Sequence, residues 1–143
     1  MIKGVKIFEH KKFFDDRGWL SEVWRSDSFK YSPEMGYISV THPGKSRGPH
    51  EHCHQTDYFV FMGASEFTIK LWDKNTGEKE EHVAPKDKII ILVVPPAVIH
   101  GYKNTGDTDG CVLNLPDRLY AGKNKKEPVD ETRHEEDNRY PMD

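Results

Sequence analysis

The residues best suited to chemistry lie in one stretch, Gly44 to Tyr58, which reads GKSRGPHEHCHQTDY. His50, His52 and His54 alternate, so an extended chain here points all three imidazoles to one side. Neutral imidazole ligates divalent metals, and a ring titrating near neutrality moves protons, so the row has two uses. Asp57 follows as a nearby carboxylate. Cys53 faces away from the imidazoles under the same alternation and reads as a packing residue. A second stretch, Pro95 to Asn104 (PPAVIHGYKN), adds a sharp turn and one more histidine, His100. His10, His42, His82 and His134 stand apart from both stretches and read as solvated or structural.

The elements that must position these groups are strands. At 143 residues the chain fits one domain able to bury roughly two thirds of its unfolded surface. Apolar residues make up only 35% and charged ones 31%, which predicts a thin, aromatic core and an oligomer. Basic residues are interleaved with acids except at Lys123, Lys125 and Lys126, so the footprint of a nucleic-acid binder is absent. The longest apolar run, Ile89 to Ile99, contains Pro95 and Pro96 and is too short to span a bilayer, so no membrane segment is expected. Two cysteines, Cys53 and Cys111, make no disulfide framework, and with no secretory pattern the expectation is a cytoplasmic protein.

Along the chain, Val5 to Phe8 reads as an edge strand, Asp15 to Gly18 as a turn and Trp19 to Trp24 as a strand. Tyr37 to Thr41 is β-rich. Tyr58 to Met62 and Ile89 to Val94 are continuously apolar, as strands covered on both faces are. Phe67 to Trp72 alternates with a period of two, and the DKNTG turn returns the chain through Glu78 to Val83. Val98 to Asn104 and Cys111 to Leu115 complete an all-β sandwich or barrel. Residues 1–122 form the domain with its N-terminal strand extension, and residues 123–143 form a polar C-terminal tail, a short helix or a segment packed over the barrel mouth.

Gly44, His50 and His52 in the first stretch, and Pro95, His100 and Asn104 in the second, stand at the spacings of the two cupin motifs. The chain thus resembles cupins, which implies a double-stranded β-helix, or jelly roll. Within cupins it resembles the dTDP-4-dehydrorhamnose 3,5-epimerases and the dTDP-4-keto-6-deoxyglucose ketoisomerases. The residues carrying this are FDDRGWLSE from Phe14, SRGPH from Ser46, Pro95 to Tyr102, and Tyr120.

That resemblance implies proton transfer beside the C4 ketone of a dTDP-4-keto-6-deoxyhexose. It makes His50 the base, and through the ketoisomerase form Arg-Gly-x-His-x-His it makes His52 the proton carrier, with Tyr58 as a substitute donor. Arg17 and Arg47 would face the phosphates or sugar, and Glu22 the nucleotide base or ribose. His100, Asn114 and Tyr120 join the substrate-binding set, with Asn114 standing where the epimerases carry their acid tyrosine. A tail carboxylate, Asp137 or Asp143, would orient His50.

The resemblance implies no cofactor and a homodimer that exchanges N-terminal strands. Two further readings stay open. His50, His52, Asp57 and His100 are the ligand set of a metal cupin holding a first-row divalent ion. A non-catalytic nucleotide-sugar or carbohydrate binder is the other, because the epimerases' lysine has no counterpart between Asp57 and Phe61. Trp19, Trp24 and Trp72 read as core or dimer-contact aromatics.

Overall fold

A computed structural model describes residues 1–143, and it is built almost wholly of antiparallel strands. They are β1 (Lys6–His10), β2 (Phe13–Asp15), β3 (Gly18–Leu20), β4 (Tyr37–Thr41), β5 (Ser46–Glu51) and β6 (Asp57–Phe61). There follow β7 (Phe67–Trp72), β8 (Lys79–Ala84), β9 (Ile89–Val94), β10 (Ile99–Asn104), β11 (Gly110–Asn114) and β12 (Thr132–Arg133). One sheet has the order β1-β9-β6-β11-β4, the other β12-β5-β10-β7-β8, and β2 and β3 make a separate hairpin. This is the jelly roll. No helix is long and apolar enough to cross a membrane.

The two sheets face each other across a core that includes Phe59, Phe61, Phe67, Ile69, Leu71, Leu92 and Tyr102. Alternation sends the neighbouring residues of the first sheet, Tyr58, Val60, Ile89, Ile91 and Val93, to its outer face. There Val23, Trp24, Phe29 and Tyr31 of the segment before β4 cover them. That cover explains why β6 and β9 are apolar without interruption.

Two expectations are corrected, and the choice left open for the tail is decided. The strand from Trp19 stops at Leu20, because the following residues leave the hairpin to cover the outer face. The histidine strand β5 stops at Glu51, and residues 53 and 54 bend, so the row of three imidazoles does not form. The tail makes no α-helix: it has one 3-10 turn at Lys123–Lys125, and β12 then adds to the edge of β5.

One irregularity in β5 matters to function. Residues three apart on a regular strand face opposite sides. On β5, however, His50 pairs with His100 and Arg47 with Tyr102, so three steps on β5 match two on β10. This β-bulge turns Arg47 and His50 toward the same cleft. It falls at Gly48, whose φ is 80° and whose added Cβ would lie 2.6 Å from the His100 carbonyl oxygen. Only glycine meets both demands. Gly48→Ala is therefore expected to lower the unfolding free energy by about 2 kcal/mol or more, measured by urea denaturation.

Candidate active site

Strand pairing assembles the site. His50 and His100 sit opposite each other on β5 and β10, with ring centroids 4.5 Å apart, and His52 lies 5.3 Å from His50 and 5.8 Å from His100. The opposite sheet supplies Asp57, the first residue of β6, whose Oδ2 is 3.0 Å from His52 Nε2 and 3.1 Å from His100 Nε2. The carboxylate is 1% exposed. Its Oδ1 accepts hydrogen bonds from Gln55 Nε2 at 2.8 Å and Asn114 Nδ2 at 2.9 Å. Asn114 is itself fully buried, donates to the Tyr37 hydroxyl and accepts from the Tyr58 backbone N–H.

The far nitrogens of the two inner rings are fixed by backbone carbonyls. His100 Nδ1–H donates to Val98 O at 2.9 Å, and His52 Nδ1–H donates to the carbonyl of Asp130. His52 thus has the Asp130 carbonyl at Nδ1 and a carboxylate oxygen 3.0 Å from Nε2. His50 is different: its nearest carboxylate oxygen, on Glu131 of the tail, is 4.0 Å from Nδ1, beyond hydrogen-bond reach.

Electrostatics follows from this arrangement. Burial, and then the neighbouring His100 and His52, push His50 down to about 3, so its ring is neutral. Burial also opposes charge on His52, but the Asp57 carboxylate outweighs it and raises the ring to about 9. Burial would likewise favour a neutral Asp57, yet His100 and His52 hold it well below the usual carboxylate range.

A cleft of about 1080 Å³ opens onto this cluster, walled by His50, His52, Arg47, Tyr37, Tyr120 and Glu131 among others. Arg47 is pinned across it, with Nε donating to Thr41 Oγ1 at 3.1 Å and Nη2 to Val40 O at 2.7 Å. His54 also reaches the cleft, from the bend after β5.

Several expected site residues lie elsewhere. Tyr58 follows Asp57 on the strand and so points to the outer face, where its hydroxyl donates to Val23 O at 2.7 Å. It cannot serve the cleft as a proton donor. His100 is 2% exposed and Asn114 0%, so both sit behind Asp57 and not on the cleft wall. Within one chain Arg17 and Glu22 do not reach the histidines. Arg17 pairs with Asp15 on the exposed hairpin and Glu22 with Arg25.

Asp137 and Asp143 pair with Arg139 and Lys103, and the tail residues beside the histidines are Asp130 and Glu131. Cys53 is exposed in the bend, not packed. Tyr37, Asp130 and Glu131 were not singled out from the sequence. Tyr37 reads there only as part of a β-rich run, and no motif marks the other two.

As a metal site the cluster is well formed: one ligand atom from each of His50, His52, Asp57 and His100 lies within 4.8 Å of the others. Asp57 Oδ2 and His100 Nε2 are also buried, and neither completes a hydrogen bond of regular geometry. Three imidazole nitrogens and a carboxylate oxygen suit a first-row divalent ion.

The opposed histidines predict the stability profile. His52 binds its proton more tightly folded than at its ordinary value of 6.5, so its contribution is complete below pH 6.5 and is lost as pH rises through about 9. His50 binds its proton less tightly folded, so stability also falls as pH drops from 6.5 toward 3. Urea midpoints are expected to peak near pH 6.5, and Asp57→Asn to flatten the fall on the alkaline side.

Comparison with known proteins places the chain. A family model described as the polysaccharide biosynthesis C-terminal domain matches residues 13–126. A Haloferax volcanii protein, the probable low-salt glycan biosynthesis epimerase Agl13, is 33% identical over 127 residues, covering 83% of this chain and 81% of that one. Among solved structures, a dTDP sugar isomerase from Desulfovibrio desulfuricans G20 superposes with a TM-score of 0.84 at 21% identity, over 99% of this chain and 90% of that one. QdtA, a sugar 3,4-ketoisomerase from Thermoanaerobacterium thermosaccharolyticum solved with TDP, gives 0.74 at 17% identity, over 95% and 92%. The two structures share the jelly roll, and the match over residues 13–126 shows that the chain belongs to the polysaccharide biosynthesis C-terminal domain family.

Proposed function

We propose that this chain is an isomerase-class enzyme, an epimerase or ketoisomerase that moves a proton beside the C4 ketone of a dTDP-4-keto-6-deoxyhexose. One observation carries the reading: two adjacent imidazoles meet at the cleft, one flanked by an oxygen at each nitrogen and the other by none within hydrogen-bond reach. An imidazole flanked by two such oxygens is an acid, and a neutral one is a base. The Haloferax relative is named an epimerase and the two solved structures a dTDP sugar isomerase and a sugar 3,4-ketoisomerase, which supports the reading.

His50 takes the proton from the carbon next to the ketone, and the C–H electron pair becomes the enolate double bond. The diphosphate's negative charge and the growing enolate both favour the protonated ring at that moment. Arg47 faces the developing negative charge. His52 returns a proton through Nε2, to the opposite face of the carbon in an epimerase. In a ketoisomerase the proton goes to C4 while the C3 hydroxyl proton passes to the C4 oxygen, leaving the ketone at C3, and solvent then takes the proton from His50 and restores that of His52. Acid and base both come from the chain, so the reaction as written uses no metal.

The exposed hairpin residues Phe13, Phe14, Trp19 and Leu20, and Ile38 and Val40 on the edge strand β4, support a homodimer. A second copy would bring its Arg17 and Glu22 to the cleft this chain leaves open. The setting is the cytoplasm, where the free thiols of Cys53 and Cys111 persist.

The unsatisfied Asp57 Oδ2 and His100 Nε2 favour a second reading, a divalent metal held by the four-residue cluster. Chelation separates the two. Under proton transfer, protein made without a histidine tag keeps full turnover after dialysis against a chelator; loss restored by added metal would assign the site to the ion.

The main test is solvent deuterium incorporation at C3 or C5 across a panel of dTDP-4-keto sugars. His50→Asn should cut exchange by at least about 10²-fold with the fold intact, and retained exchange would remove His50 as the base. Wild-type protein that exchanges nothing on any sugar would instead be a nucleotide-sugar binder. Co-expressing His50→Asn with Arg17→Ala should yield activity that neither variant has alone, measured on the purified mixed dimer.

A further inference from the structure

We infer that Asp130, in the C-terminal tail, is a positioning residue that fixes which nitrogen of His52 exchanges a proton, an inference that rests on the proton-transfer reading above. Asp130 lies beyond the segment matched by the family model, which ends at residue 126. It grips the segment that follows β5 twice.

Its backbone carbonyl accepts the hydrogen bond of His52 Nδ1. A carbonyl can only accept, so Nδ1 keeps its hydrogen in every state of the ring. The proton that leaves and returns is then the one on Nε2, the nitrogen beside Asp57.

Its carboxylate accepts the backbone N–H groups of Cys53 at 2.8 Å, His54 at 3.0 Å and Gln55 at 3.0 Å. Three successive amides turned to one carboxylate force the bend that ends β5 after Glu51. The bend in turn delivers the Gln55 side chain to Asp57 Oδ1 at 2.8 Å. One tail residue therefore sets Nδ1 of His52 and, through Gln55, the carboxylate facing Nε2.

The tail is anchored for this task. Thr132 and Arg133 of β12 pair with Glu51 and His50, and His134 N–H donates to Pro49 O at 2.9 Å. An aspartate that merely stabilised a bend would affect folding alone, whereas a positioning residue affects kcat and the His52 ring.

The test compares Asp130→Ala and Asp130→Asn with wild type. Exchange kinetics should show kcat reduced about tenfold or more in Asp130→Ala with KM changed less than about twofold. Asp130→Asn, whose amide oxygen still accepts, should recover most of the loss. Nitrogen-15 NMR of ring-labelled protein without substrate, at about pH 10 where His52 is neutral, should show the Nδ1–H tautomer in wild type and a shift toward Nε2–H in Asp130→Ala.

A wild-type kcat and an unchanged tautomer in a folded Asp130→Ala would overturn the inference. Should Asp130→Ala not fold, the Nε2–H tautomer in wild type would overturn it alone. Because the NMR measurement needs no turnover, a wild type without exchange would sink the proton-transfer reading while the tautomer still decides the role of Asp130.

Discussion

A buried carboxylate between two imidazoles is the constraint on which the rest of this structure depends. Asp57 is shielded from water and stands 3.0 Å and 3.1 Å from two ring nitrogens of the opposite sheet. Taking such a charge out of water costs several kcal/mol unless it is paired and hydrogen-bonded. Gln55 and Asn114 occupy its second oxygen, and the imidazoles face the first. The arrangement gives neighbouring histidines opposite characters: His52 is charged beside the carboxylate, and His50 is kept neutral by burial and by the imidazoles next to it. Acid and base then stand side by side, one on β5 and the other just past its end.

The jelly roll supplies what that trio requires. Strands β5 and β10 bring His50 and His100 into register, and β6 of the facing sheet delivers Asp57 across the core. The bulge at Gly48 swings Arg47 to the side of His50. The tail closes the arrangement by adding β12 to β5 and by holding the bend in which His54 and Gln55 lie. Fold and site are thus coupled, because the residues that end a strand or allow a bulge also aim the reacting groups.

The sequence made some of this legible and concealed the rest for physical reasons. Phe67–Trp72 and Ile89–Val94 were readable because period two and an unbroken apolar run are direct consequences of burial on one face or two. His50 and His100 could be joined because each sits in a motif with its own turn chemistry. An unbroken apolar run, however, does not say which face holds the site, so Tyr58 could not be assigned to the outer face. The row of three imidazoles failed because the bend is imposed by Asp130, far along the chain. Asn114 reads locally as a polar strand residue, and only the buried carboxylate of Asp57 explains it. Arg17 stays remote within one chain, so its role depends on a second copy.

The measurement that most directly tests the central account is the protonation state of His50 and His52 by nitrogen-15 NMR of histidine-labelled protein at pH 7. The account predicts a neutral His50 ring and a doubly protonated His52 ring in the same molecule. Two neutral rings at pH 7 would contradict it, because Asp57 would then not be dividing the pair into base and acid.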